Sequence, residues 1–156
     1  MAPLSITRRQ LGATLIGAAT LAATAGCNTT EPQPVDTNRL LLEEAELAEL
    51  NLLAQIQGSI ETLPRPAAEV SRLAVTSVQM HISRLAATLG STSSPSPSPS
   101  DPISDSLAPQ QLAELARQVS VQHRESLTRA DPPTAQLLAS IAASDLVIAV
   151  ALSSAS

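Results

Sequence analysis

Residues 66–90 read PAAEVSRLAVTSVQMHISRLAATLG, and this stretch decides the fold. Val70, Ala74, Val78, Ile82, Leu85 and Leu89 recur at three- and four-residue steps, the spacing that lines one face of an α-helix. Pro66 stands where a first helical turn tolerates a residue without an N–H, and Gly90 stands where a left-handed C-terminal cap is wanted. Within the apolar stripe, between Val70 and Ala74 on the helical wheel, lies one ionisable residue, His81. No period-two alternation competes with this reading.

The segments on either side repeat it. Upstream, Asp36 or Thr37 caps a first helix that runs to about Gln57 and stops at Gly58. Downstream, Ser91 to Ser106 is a low-complexity connector centred on Ser94-Pro95-Ser96-Pro97-Ser98-Pro99-Ser100, whose alternating prolines block helix and ladder alike and favour extended polyproline II. A third helix follows from about Leu107 to Ala130. Asp131-Pro132-Pro133 then closes it and caps a fourth, which continues to about Ser153. Four helices of about 20 residues without strands predict an all-α four-helix bundle over residues 37–154. At 156 residues the chain holds one such domain.

Each predicted helix turns one ionisable side chain into its apolar stripe. Glu49 sits between Ile56 and Leu42, His123 among Leu115, Val119, Ala116 and Leu127, and Asp145 among Ile148, Ile141, Leu152 and Leu138. At about 1.5 Å rise per residue, Glu49, His81, His123 and Asp145 reach within about 6–8 Å of one level if the third helix runs parallel to the second. In simple up-down-up-down order His123 is displaced by roughly 10 Å. The sixteen-residue connector, extended at about 3.1 Å per residue, reaches far enough for the crossover.

The N-terminus carries an address. Thr7-Arg8-Arg9-Gln10-Leu11 supplies a twin-arginine start, and Leu11 to Ala25 supplies fifteen mildly apolar residues, too few to span a bilayer. Leu21-Ala22-Ala23-Thr24-Ala25-Gly26-Cys27 has the form of a bacterial lipobox. Residues 1–26 are therefore expected to be a signal peptide, Cys27 the lipidated first residue of the mature chain, and residues 27–36, with Pro32 and Pro34, a tether. An acylated Cys27, the only cysteine, is no nucleophile, ligand or disulfide partner. Removal of the signal takes Arg8 and Arg9 with it, leaving 7 Arg against 14 acidic residues, a net charge of −7.

Twin-arginine signal, lipobox, and helices carrying His81-Ile82-Ser83-Arg84-Leu85 and residues 137–144 (LLASIAAS) together resemble actinobacterial exported lipoproteins with a ferritin-like domain. The resemblance covers most of the chain. It implies a ferritin-like bundle with a long crossover between helices 2 and 3, and a place on the outer face of the cytoplasmic membrane. It implies no activity. The di-iron centre of true ferritins does not carry over, because that site needs Glu-x-x-His twice. Here Val78 stands three residues before His81, and Ser120 three before His123.

Composition narrows the function further. The chain has no Phe, Trp or Tyr and is 15% charged with 14 acidic and 9 basic residues, so it offers neither a stacking platform for bases nor attraction for phosphate. Nucleic acid is excluded as a partner. No Gly-rich phosphate loop, no Lys for a Schiff base and no nucleophile constellation points to an enzyme. The expected function is a membrane-anchored structural or interaction module without a cofactor, held by its lipid and facing some partner of the cell envelope. Three readings of Glu49, His81, His123 and Asp145 stay open: a buried polar cluster that fixes bundle register, stripe-edge residues that reach water, and a two-His, two-carboxylate site for one divalent ion, Zn, Mn or Fe.

Overall fold

The computed structural model describes residues 36–90 and 106–156. The expected signal peptide with Arg8 and Arg9, Cys27, the expected tether up to residue 35 and the connector up to residue 105 lie outside the described residues. Within them the chain is an all-α four-helix bundle: α1, Thr37–Ser59; α2, Arg65–Leu89; α3, Pro109–Ser126; α4, Pro132–Ser154.

Local chemistry starts and stops these helices. The Asp36 carboxylate accepts from the Arg39 N–H at 3.2 Å, and the Asp131 carboxylate from the Thr134 N–H at 3.0 Å, each satisfying a first-turn donor that the helix leaves free. Gly90 ends α2 at φ 72°, its N–H bonded to the Ala86 and Ala87 carbonyls. Gly58, expected to do the same for α1, does not. The helix passes through it to Ser59 and on into a 3-10 turn, Ile60–Thr62, before Pro64 enforces the break. Gly90 alone among the described glycines has positive φ. At its other extreme, α3 starts at Pro109 and stops at Ser126, with residues 127–130 turning towards Asp131.

Two hydrogen bonds between distant residues establish the order of the helices. The Leu107 N–H donates to Ser59 Oγ at 2.8 Å, so α3 begins where α1 ends. The Asp131 N–H donates to Asn38 Oδ1 at 2.9 Å, so α4 begins where α1 begins. Hence α1 and α4 run one way, and α2 and α3 the other. The pairs α1–α2 and α3–α4 form the principal hairpins; α1 packs laterally on α3 and α2 on α4, leaving α1 and α4 on a diagonal. The chain leaves α2 at one end of the bundle and enters α3 at the other.

The core divides in two. One apolar cluster includes Leu52, Ile56, Val78, Ile82, Leu112, Ala116, Ile148 and Leu152. A smaller one, nearer the start of α1, contains Leu42, Ala45, Leu85, Leu138 and Ile141. Along every helix the ionisable residue falls near the passage from one cluster to the other.

Candidate metal centre

Glu49, His81, His123 and Asp145 all stand inward, with relative exposures of 0%, 3%, 1% and 0%. All four are closed off from bulk solvent, so the reading in which these residues sit at stripe edges and reach water is overturned. Each helix contributes one member because its buried stripe holds one ionisable side chain, near the shared level. The parallel course of α2 and α3 brings those levels together.

Each imidazole faces both carboxylates. His81 Nδ1 lies 2.9 Å from Glu49 Oε2 and 3.5 Å from Asp145 Oδ1. His123 Nε2 lies 3.0 Å from Glu49 Oε1 and 3.7 Å from Asp145 Oδ2. Glu49, His123 and Asp145 each present a ligand atom within 4.8 Å of the others, a set that does not include His81; His81 touches it through Nδ1, which reaches Glu49 and Asp145. Two neutral imidazoles and two carboxylates are a donor set suited to Zn, Mn or Fe.

Electrostatics separate the two acids. Burial pushes Glu49 upward, but hydrogen bonds from His123 and His81, with the charges of those rings, more than offset it and hold its carboxyl below the ordinary range. Asp145 has no such support. Both of its oxygens are buried without a hydrogen-bond partner. Burial first, and then the charge of the neighbouring Glu49, drive it up to about 9. With one ring proton of each histidine directed at Glu49, Asp145 is left without a donor.

The sequence reading named these four residues but passed over a surface. The exposed side of α4 carries Leu146, Val147 and Val150, with exposures of 43%, 68% and 56%, and Leu73 (74%) and Met80 (47%) of α2 lie exposed as well. The signal was present: between Pro132 and Ser156 the only charged residue is Asp145, which faces the core. By length and composition α4 is long and apolar enough to cross a membrane, with a mean hydropathy of 1.9. In this fold its other face closes the core through Leu138, Ile141, Ile148 and Leu152.

Comparison with protein families, with curated proteins and with solved structures found no match.

Proposed function

We propose that this chain is a lipid-anchored, extracytoplasmic four-helix bundle that binds one divalent metal ion through Glu49, His81, His123 and Asp145. One observation carries the reading: Asp145 is buried with neither oxygen hydrogen-bonded, beside a second buried carboxylate. A polar cluster built only to fix register has no need of a second acid without a donor, since an unsatisfied buried carboxyl is among the more costly groups a core can hold. A dication in the middle of the four would answer both negative charges and supply Asp145 with its missing partner. The resemblance to exported lipoproteins, the Arg8-Arg9 pair and Cys27 support the location, and the parallel course of α2 and α3 supports the ferritin-like arrangement.

All four donors come from the protein and are enclosed, which suits holding an ion rather than presenting it to a substrate. The proposal is therefore a binding protein and not an enzyme. Metal analysis of the protein purified without chelators should find about one equivalent of Zn, Mn or Fe, and Asp145→Asn should lose it while remaining helical. Wild-type protein free of metal, and unmoved in melting temperature by added Zn, Mn or Fe, would leave the register-fixing cluster as the reading.

A further inference from the structure

The outer side of α4 forms a second amphipathic pattern, opposite the one that fills the core. Ala139, Ala143, Leu146, Val147 and Val150 recur at three- and four-residue steps and share a face. That face contains no charge over the whole helix. Leu73, Ser77 and Met80 continue it onto α2, where Ser77 Oγ meets Ser144 Oγ at 3.0 Å. Arg84, seven residues on from Ser77, shares their side of α2 and is exposed. Across α4, the exposed Arg124 lines a shallow recess with Leu146, and Arg117 stands seven residues before it on the same side of α3. Glu114, the acid nearest on that flank, is paired with Arg117. The acids Glu43, Glu44 and Glu46 belong to α1, diagonally opposite α4. On the α2 side Glu69, exposed and four residues before Leu73, is paired with Arg65, so the charges left without an ion pair beside the strip, among the described residues, are Arg84 and Arg124, one on each flank.

We infer that this face lies on an anionic lipid bilayer, with α4 in the plane of the interface and its outer residues among the headgroups and first methylenes. An apolar strip flanked by arginines is the chemistry of interfacial helices, in which hydrocarbon burial and attraction to anionic headgroups act together. A second copy of the chain fits less well. A strip about 35 Å long and 10 Å wide offers about 350 Å², well under the roughly 800 Å² per partner of a stable interface, and apposed strips bring arginine flank against arginine flank. The inference rests on the membrane location proposed above. Nine peptide steps lead from Cys27 to Asp36, a reach of roughly 30 Å, longer than the two-helix thickness of about 20 Å that the chain must pass for α4 to meet the membrane.

Vesicle flotation tests it on residues 27–156, the expected mature chain, carrying Cys27→Ser, so that neither an acyl chain nor the Arg8-Arg9 segment contributes. That protein should float with phosphatidylglycerol vesicles and much less with phosphatidylcholine. Val147→Glu with Val150→Glu should weaken the partition at least about tenfold, with helical content and metal content unchanged. Arg84→Glu with Arg124→Glu should weaken binding to phosphatidylglycerol alone. If the double glutamate variant loses helicity, Val147→Ser with Val150→Ser takes its place. Flotation equal to that of the Val147/Val150-intact chain overturns the inference, as does a face variant that turns a dimer into a monomer without altering flotation, which assigns the strip to a second copy. The acyl mass on Cys27 of the wild-type chain is read separately, so failure of the anchor and failure of the face are distinguishable.

Discussion

At the scale of single residues, the proposed centre would couple proton and metal. In the metal-free fold Asp145 keeps its proton up to about pH 9, whereas an unfolded chain releases it near 3.8. Between these values the folded state binds more protons, so the Asp145 contribution to stability is full below 3.8 and declines as pH rises towards 9. Glu49 acts in the opposite sense: its folded value lies below 4.5, so its contribution is present above 4.5 and lost as pH falls through the folded value. Metal-free protein should therefore lose melting temperature between about pH 5 and 9, and Asp145→Asn should flatten that slope. Thermal melts across pH check both. Metal binding must displace the Asp145 proton, so apparent affinity should rise over the same range, and a titration showing affinity independent of pH would contradict the assignment. The contacts also predict coupling. Because His123 Nε2 and Asp145 Oδ2 are 3.7 Å apart inside a sealed core, His123→Leu and Asp145→Leu measured singly and together in metal-free protein should depart from additivity by more than about 0.5 kcal/mol.

At the scale of elements, the two glycines of the described chain make a matched pair. Gly90 sits at φ 72°, where a side chain is strained, so Gly90→Ala should cost about 1 kcal/mol. Gly58 lies inside α1 with open space where a Cβ would point. Gly58→Ala should stabilise the bundle by about 0.5–1 kcal/mol, since alanine restricts the unfolded chain and suits the helix. Denaturant melts of the two variants should move in opposite directions. A glycine followed by Ser-Ile is a sound stop signal by residue type, but the stripe continuing through Ile56 and the Ser59 hydroxyl bonded to the Gln55 carbonyl carry α1 further. Ser59 also serves the start of α3, a task the sequence does not announce.

At the scale of the molecule, the connector between α2 and α3 must travel the length of the bundle. Deleting Ser94 to Ser100 leaves ten peptide steps between Gly90 and Leu107, about 31 Å in polyproline II, against about 37 Å for the 25 residues of α2. The deletion should lower the melting temperature markedly, because the helices cannot keep both the Ser59–Leu107 and Asn38–Asp131 contacts. An unchanged melt would contradict the antiparallel placement of α1 and α3. For location, Cys27→Ser should reduce membrane retention after a high-salt wash, because the arginine flanks then lose their attraction and the α4 strip alone must hold the bundle.

Helix periodicity, prolines and caps make four helices legible, and the single ionisable residue on each stripe identifies Glu49, His81, His123 and Asp145, because burial on a helix follows directly from 100° steps. Which helix runs beside which is not local information. Tertiary structure decided it through the Ser59–Leu107 and Asn38–Asp131 contacts, and with it whether four scattered polar residues become one centre. The same holds for α4. Its sequence is apolar all round, which by itself describes a buried helix or a membrane span equally well; only packing on α2 and α3 determines that one side closes a core and the other is left facing out. Periodicity reports how each helix divides its residues between faces, whereas the partner of each face depends on contacts between segments far apart in the chain.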